Sequence, residues 1–335
     1  MTPIYALCYQ LARLIPSKSL RRRAKGICLY KAQHPKVARY LNKNYVAPFL
    51  KGELKHYELV PSKHSKIDKN SQNFNKTAPT KSFESPKIIW QFWAQGEKNA
   101  PSLIKSCLNS ARKQMNDYEI IILDEQNLSD FINFPPFVRE KLASGAFGAA
   151  FFSDLLRVSL LASYGGVWLD ASIFLSGKIP ANLLKKDFFA FQRSTLPPSD
   201  YKLWQGFDYR YFIWADDFAV RLFSAFLVAK PRHKIMLALQ DILLDFWRCE
   251  SSLPHYFTLH IIFDLLMKTP KFSALNCENL GDTAVHLVQL HAKEPFDEHL
   301  WQEICAKSSI HKLTHKSKSP QPFVDGILGL KDTNE

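Results

Sequence analysis

The stretch that decides the fold spans residues 149–175 and reads AAFFSDLLRVSLLASYGGVWLDASIFL. In its first half, apolar side chains recur at helical spacing along one side, which predicts a helix. The Gly165-Gly166 pair that follows is typical of a helix end, because glycine adopts the backbone conformations that close a helix. Residues 167–175 are apolar apart from Asp170 and Ser172 and predict one strand. A helix that leads into a buried strand is a building unit of α/β folds.

The sequence on either side continues this alternation. After Pro86, the β-branched and aromatic run KIIWQFW predicts a buried strand. Residues 102–114 have apolar positions at helical spacing, and the run YEIIILD predicts a second strand. Further strands are predicted at 188–192 and 224–229, and further helices at 233–249 and 254–268. This order predicts an α/β fold with a mostly parallel central sheet.

Length and composition limit the class of protein. The chain has 335 residues, of which 46% are hydrophobic and 22% charged, so it can bury a sizeable core. No apolar run of about 18 residues and no secretory signal are evident, so we expect an intracellular protein that is soluble or peripheral to a membrane. The six cysteines have no metal-ligand spacing, which favours reduced thiols over a disulfide framework.

The formal net charge of +13 is carried by the first quarter of the chain. Residues 1–85 hold 17 Lys and Arg against 4 Asp and Glu, whereas residues 86–335 hold 27 of each. We therefore predict four parts: a basic, partly helical extension at 1–60, a polar linker or loop at 61–85, a neutral body large enough to be a catalytic domain at 86–320, and a carboxyl-terminal tail at 321–335.

The basic extension bears on the partners of the protein. Its apolar segment, residues 4–15, is followed by Lys18, Arg21, Arg22, Arg23 and Lys25. An apolar helix with a cationic flank suits the anionic cytoplasmic face of an inner membrane. A solvated helical cap on the body explains the pattern equally well. Nucleic-acid binding by the extension is an alternative function, but the body lacks an excess of basic residues, so no nucleic-acid partner is expected.

Polar side chains at the carboxyl ends of the predicted strands are the first candidates for a site, because ligands bind there in open α/β sheets. They are Gln91, Asp124, Asp170 and Ser172. Asp170 and Ser172 are two apart, so on a strand their oxygens share one face and suit a divalent cation bound with phosphates. A strand-end Asp that caps a turn is the simpler explanation, and composition alone favours it.

Asp154 and Arg157 lie three apart on the predicted helix and can contact each other. A surface ion pair is the commonest meaning of this spacing. The flanking residues Phe151, Phe152, Leu155 and Leu156 indicate instead a pair that is partly buried beside a site. An Arg fork held next to a carboxylate can bind sugar hydroxyls and phosphate oxygens.

Taken together, four segments resemble the capsular polysaccharide synthesis protein family, within glycosyltransferase family 32. They are PKIIWQFWAQG, YEIIILDEQNL, FFSDLLRVSLLASYGGVWLDASIF and SSIHKLTHK, and the similarity runs from about residue 86 to 318. The resemblance implies a GT-A type, Rossmann-like fold that binds a nucleotide sugar. It also implies a retaining glycosyltransferase that uses Mn²⁺ or Mg²⁺, with UDP as the default nucleotide and a bacterial capsule or lipopolysaccharide glycan as the acceptor.

The resemblance assigns roles to individual residues. Asp170 matches the first Asp of the family's DxD metal motif, and Ser172 stands where many relatives have the second Asp, which puts the metal requirement in doubt. Asp154 and Arg157 match a pair that contacts ribose and donor sugar, and with Asp170 they form the expected catalytic set. Trp90 and Asp124 match positions of the donor site, to which we add Gln91 from its place at the end of the first strand and Lys312 as a second positive contact for the phosphates. His311 is a candidate third metal ligand by analogy with related transferases, or equally a surface histidine beside Lys312.

Two matters stay open at the level of sequence. No residue is assured as a nucleophile for a retaining reaction; Asp216 and Asp217, in the aromatic stretch YRYFIWADDF, can serve an acceptor or lie in a solvated loop. Because Ser172 stands in place of the second Asp of the metal motif, the protein can also be a catalytically degenerate relative that binds a nucleotide sugar without turnover. His255 and His260, five apart on a helix, lie on different faces and do not predict a shared metal.

Overall fold

Strands and helices alternate through most of the chain. The computed structural model describes residues 7–8, 10–59, 86–317 and 319–330. The strands are β1 (Ile88–Phe92), β2 (Glu119–Leu123), β3 (Gly166–Leu169), β4 (Ile173–Leu175), β5 (Phe188–Gln192), β6 (Leu222–Ala229) and β7 (Ile310–Lys312). β4 and β7 form a separate two-stranded sheet, and the other five strands form the central sheet in the order β2-β1-β3-β6-β5.

The helices surround the central sheet. They are α1 (Lys18–Leu41), α2 (Ala47–Leu50), α3 (Ser102–Gln114), α4 (Pro136–Ala143), α5 (Ala149–Ser163), α6 (Ala181–Leu184), α7 (Tyr201–Phe207), α8 (Lys234–Cys249), α9 (Thr258–Met267), α10 (Pro270–Ser273), α11 (Leu287–His291), α12 (Glu298–Lys307) and α13 (Pro322–Leu328). A π-helical turn, Asn42–Val46, joins α1 to α2. Short 3-10 turns lie at Ala12–Leu14, Glu97–Asn99, Leu128–Asp130 and Ala284–His286. Within the described residues, no helix is both long and apolar enough to span a bilayer.

The central sheet is mostly parallel. β1 pairs in parallel with β2 and with β3. β6 runs antiparallel to both of its neighbours, β3 and β5. Four of the five strands therefore point the same way and only β6 opposes them, which confirms the α/β fold with a mostly parallel sheet.

Both faces of the sheet are buried, as expected where helices cover each side. Trp90 and Trp168 face a core formed with α5, α8 and α9. Ile89 and Val167 alternate with them and face a second core on the other side. This alternation explains why β1 and β3 read as continuous apolar runs rather than as an apolar and polar pattern.

The chain passes from α5 to β3 through Gly165 and Gly166, as the sequence predicts. Their backbone φ angles are +69° and +94°, values that residues with a Cβ atom rarely adopt. A Cβ on Gly166 would lie 2.6 Å from the carbonyl oxygen of Ile88 on β1. Glycine at this position therefore permits the turn and the close pairing of β3 with β1.

The predicted single strand over 167–175 is wrong. β3 ends at Leu169, and residues 170–172 form a turn before β4 begins. The Ile173 amide donates to the carbonyl of Asp170 at 2.9 Å and closes this turn. Asp and Ser favour turns because their short polar side chains hydrogen-bond locally, and the apolar residues on both sides conceal that signal. The turn directs β4 out of the central sheet and towards β7.

The described part of the amino-terminal region packs against the body. Leu41 and Val46 are fully buried in the main core. The His34 Nε2 accepts a hydrogen bond from the Ala219 amide at 2.9 Å. Residues 4–6 and 9 of the apolar segment 4–15 lie outside the described residues, as does the whole predicted linker 61–85. The division into domains stays a prediction.

Candidate active site at the end of strand β3

Asp170 lies where β3 ends, at the carboxyl edge of the parallel strands. Its Oδ1 accepts hydrogen bonds from Trp168 Nε1 at 2.8 Å and Arg157 Nη2 at 3.2 Å, and its Oδ2 accepts one from Lys312 Nζ at 3.0 Å. Burial raises the pKa of Asp170, but Lys312 and Arg157 lower it by more, to about 2. Asp170 is therefore ionised at neutral pH.

Arg157 contacts both predicted carboxylates, Asp154 and Asp170, through the two Nη atoms of its guanidinium group. Nη1 lies 2.8 Å from Asp154 Oδ1 and donates to Ser224 Oγ at 2.6 Å. Nη2 donates to Ser153 Oγ at 3.0 Å as well as to Asp170. Three N–H groups of the two Nη atoms thus donate hydrogen bonds within the protein, and Nε has no partner among the described residues. In this structure Arg157 positions Asp154 and Asp170, and the predicted contact of Arg157 with donor sugar stays a prediction.

Asp154 is the buried carboxylate of the pair. Its side chain is 10% exposed and lies on the same face of α5 as Arg157, one helical turn earlier. Burial raises the pKa of Asp154 to about 6, even though Arg157 lowers it, because the nearby Asp170 charge adds to the rise. The structure therefore brings all three residues of the predicted catalytic set together.

Lys312 reaches the site from β7, 142 residues after Asp170. β7 pairs antiparallel with β4 so that Lys312 lies opposite Ile173, and the Leu313 amide donates to the Ser172 carbonyl at 2.9 Å. The Lys312 ammonium lies 2.7 Å from Ser172 Oγ and 3.0 Å from Asp170 Oδ2. Asp170 and Ser172 thus contact one ammonium, although a turn rather than a strand places them, and their predicted contact with a bound cation stays a prediction.

His311 lies on the other side of β7 from Lys312, because neighbouring residues of a strand point to opposite faces. Its side chain is fully buried, its Nε2 lies 2.8 Å from Ser176 Oγ, and its ring packs against Trp301. Burial lowers the pKa of His311 to about 4, so the ring is neutral. The structure does not bring His311 to Asp170, and its role as a third metal ligand stays a prediction.

The two predicted donor residues of β1 differ in their surroundings. Trp90 is fully buried, donates from Nε1 to the Gly165 carbonyl at 2.9 Å and packs against Tyr164. Its indole is thus part of the core beneath the site. Gln91 is also fully buried, but neither polar atom of its side chain has a hydrogen-bond partner among the described residues. A buried amide without partners is costly, so Gln91 has unused capacity to bind a ligand.

Asp124 follows β2 at the same edge of the sheet as Asp170. The order β2-β1-β3 separates the two strands by about 10 Å. Oδ1 of Asp124 accepts hydrogen bonds from the amides of Gln126 and Asn127, each at 2.9 Å. Asp124 therefore caps the turn after β2, and its predicted contact with the donor stays a prediction.

The donor set around Asp170 fits a hard divalent cation in part. The Lys312 ammonium lies within hydrogen-bonding distance of both Asp170 Oδ2 and Ser172 Oγ, so one cationic group can bridge these two oxygens. Mg²⁺ and similar ions are commonly held by one or two protein oxygens together with substrate phosphates and water. Among the described residues, no group of three or more His, Cys, Asp or Glu side chains suits a metal.

Sequence reasoning missed three residues that support the site. Trp168 and Ser224 hold Asp170 and Arg157, and His260 Nε2 lies 3.4 Å from Ser224 Oγ. Burial lowers the pKa of His260 to about 3, so it stays neutral beside Arg157. One sequence signal could have identified this support: Ser224 lies inside the apolar strand β6, where a hydroxyl without a hydrogen-bond partner is unfavourable.

The aromatic stretch around Asp216 and Asp217 packs into the body. Phe212 is 1% exposed, and Asp217 accepts a hydrogen bond from the Tyr30 hydroxyl of α1. The Asp216 carbonyl accepts from Arg221 at 2.9 Å. These contacts join the stretch to α1 and to its own loop, so the observed role of Asp217 is to attach α1.

The chain belongs to the family of capsular polysaccharide synthesis proteins, which it matches over residues 35–322. The match includes the site residues from α5, β3 and β7. It also begins well before residue 86, in the part of α1 that packs against the body.

Similarity to individual proteins is more local. The chain is 31% identical over 100 residues to the O-glycosyltransferase braB of Annulohypoxylon truncatum. This aligned region covers 27% of this chain and 24% of that protein. The chain is 29% identical over 110 residues to the O-glycosyltransferase PaGT of Phomopsis amygdali, covering 30% and 27% respectively. The chain thus matches about a quarter of the length of these relatives. A solved structure, the PaToxG Glycosyltransferase, overlaps 93% of this chain and 98% of its own, with a TM-score of 0.38 and 14% identity.

Proposed function

We propose that the protein is a retaining glycosyltransferase of family 32 with a GT-A type fold. It transfers a sugar from a nucleotide-diphosphate sugar, with UDP as the nucleotide, to a capsule or lipopolysaccharide glycan. Membership of the capsular polysaccharide synthesis family and the local similarity to two O-glycosyltransferases support this reaction class.

One observation carries the proposal. Asp170, an ionised carboxylate, lies with Ser172 at the carboxyl edge of the parallel strands and beside two cations, Arg157 and Lys312. Donors and acceptors arranged in this way suit a diphosphate and its counter-ion, because the developing negative charge of the leaving group requires positive partners already in position. A simple ion pair on a protein surface does not need a buried second carboxylate such as Asp154.

The residues of the chain divide this work. Asp170 and Ser172 would hold a Mn²⁺ or Mg²⁺ ion, and such an ion would neutralise charge on the leaving diphosphate. Arg157 holds Asp170 in place through Nη2 and joins it to Asp154. Lys312 supplies a second positive charge to the phosphates. Gln91 donates from its unpartnered amide to the donor.

The acceptor and location form the second part of the proposal. A capsule or lipopolysaccharide acceptor is lipid-linked, so the enzyme must reach it at the cytoplasmic face of the inner membrane. Leu11, Leu14 and Leu20 are each more than half exposed near a run of basic residues. Apolar side chains with a cationic flank suit peripheral binding to anionic lipid.

A thermal-shift experiment with UDP and UDP-sugars, with and without Mn²⁺, tests the donor site. A ligand at 100 times its Kd stabilises the folded state by about 2.7 kcal/mol, which raises the Tm of a chain of this length by about 4 °C. We expect this rise in the wild type with Mn²⁺ present and its loss in Asp170→Asn. Asp187→Asn is the matched control, because its carboxylate is largely exposed and pairs with Lys230.

Turnover is measured on the same variants as release of UDP from the donor. Asp170→Asn is expected to lower kcat by about 100-fold or more, while Asp187→Asn leaves it unchanged. Binding without turnover on any acceptor would support a degenerate relative. A wild-type protein that no nucleotide or nucleotide sugar stabilises would show that the proposed donor class is wrong.

A further inference from the structure

The ammonium of Lys312 occupies a position defined by backbone pairing. Lys312 lies opposite Ile173 in the β4–β7 ladder, and the next residue, Leu313, bonds to the carbonyl of Ser172. A lysine on an open surface samples many rotamers, but this one is 21% exposed and donates to two oxygens. The strand pairing therefore delivers the charge to one place.

That place is also where a divalent cation would contact the protein. Trp168 and Arg157 engage Oδ1 of Asp170, which leaves Oδ2 as the oxygen directed towards Ser172. Lys312 uses both Oδ2 and the Ser172 hydroxyl. A metal ion and an ammonium cannot share these two oxygens, because like charges a few ångströms apart repel strongly where water is largely excluded.

We propose that Lys312 is a built-in counter-ion that holds the metal position closed until a diphosphate arrives. This inference rests on the proposed function and adds how its site is regulated. Phosphate oxygens offer the ammonium charge-assisted hydrogen bonds that replace those to Asp170 and Ser172. Once Lys312 has moved to the phosphates, Oδ2 and the Ser172 hydroxyl are open to the cation.

The consequence is a coupling between metal and nucleotide. Mn²⁺ binds weakly to the protein alone and tightly in the presence of UDP. Mn²⁺ raises the affinity of the protein for UDP by the same factor, because the coupling between two binding equilibria is reciprocal. Ser172 suits this exchange of partners. A neutral hydroxyl accepts from Lys312 without holding it so firmly that phosphate cannot remove it.

The test measures Mn²⁺ binding to the full-length protein by electron paramagnetic resonance, with and without UDP. Wild type is expected to gain at least about 10-fold in Mn²⁺ affinity when UDP is added. Lys312→Met is expected to bind Mn²⁺ without UDP at least about 10-fold more tightly than wild type does, with little further gain from UDP. Adding Asp170→Asn to Lys312→Met is expected to abolish the binding.

Lys316→Met is the matched control, because it removes the same charge from an exposed position four residues further on. It is expected to leave Mn²⁺ binding as in wild type, which separates a local counter-ion from a general charge effect. Lys312→Gln keeps a polar group beside Ser172 and replaces Lys312→Met if that variant does not fold.

A folded Lys312 variant with unchanged Mn²⁺ affinity in the absence of UDP overturns the inference. So does a wild-type protein that binds Mn²⁺ equally well with and without UDP. Absence of UDP binding under every condition is a separate result that refutes the proposed function. In that case a gain in Mn²⁺ affinity in the Lys312 variants still shows that the lysine blocks the cation position.

Discussion

Removal of Arg157 tests how the buried charges of the site support one another. The Arg157 and Asp154 side chains are 6% and 10% exposed and their charged atoms lie 2.8 Å apart. At an effective dielectric constant of about 20, two unit charges at this distance attract by about 6 kcal/mol, and much of this is offset by the cost of removing both from water.

Arg157→Met keeps most of the side-chain volume and removes the charge. It leaves Asp154 buried without its cation and removes one of the two cations that contact Asp170. Breaking a buried pair from one side costs about 3–5 kcal/mol. At about 2.1 cal/mol/K of unfolding entropy per residue, a chain of 335 residues loses about 1.4 °C of Tm per kcal/mol, so the expected fall is roughly 4–7 °C. Urea unfolding at pH 7.5, followed by tryptophan fluorescence, measures the change in free energy.

Two further variants isolate the cause. The double variant Asp154→Asn with Arg157→Met removes both charges and is expected to recover at least about half of the lost stability, since no unpaired carboxylate remains there. Arg112→Met breaks an exposed pair with Glu97 and is expected to cost less than about 1 kcal/mol. The reasoning is refuted if Arg157→Met changes stability by under about 1 kcal/mol, or if the double variant is no more stable than the single one.

Two other predictions concern the amino-terminal region. Burial lowers the pKa of His34 from 6.5 to about 4, so the unfolded chain takes up the proton first. The stability contributed by neutral His34 is therefore complete above pH 6.5 and is lost as the pH falls towards 4, by about 2 kcal/mol between pH 7 and 4.5. Because buried His260 and His311 lose stability in the same range in both proteins, urea unfolding at the two pH values should show that wild type loses about 2 kcal/mol more than His34→Gln, and equal losses would contradict the prediction. The second prediction is that the protein sediments with phosphatidylglycerol vesicles and not with phosphatidylcholine vesicles, and that Leu11→Asp with Leu14→Asp weakens this binding by about 10-fold or more, since each leucine that enters the lipid contributes about 1.5–3 kcal/mol. Leu196→Asp with Leu203→Asp, at exposed leucines of the body, is the matched control, and salt-sensitive binding to DNA in place of vesicles would favour the nucleic-acid alternative.

Local features of the sequence determined the order of elements. The 3.6-residue period of α5, the Gly165-Gly166 pair and the apolar runs of β1 and β2 each depend on a few neighbouring residues, and the structure contains each of them. The pairing of Asp154 with Arg157 was also readable, because residues three apart on a helix lie on one face.

Long-range packing decided what local pattern could not. Only the pairing of β4 with β7 brings Lys312 to Asp170 and turns His311 away from it, because the register of two distant strands selects which residue faces the site. The burial of Trp90 against Gly165 and the support of Arg157 by Ser224 likewise depend on neighbours far away in the chain. The sequence by itself therefore determined the fold class and the pairing of Asp154 with Arg157, whereas the tertiary structure decided the cationic partners of Asp170, because Arg157 and Lys312 reach that carboxylate from other elements of the fold.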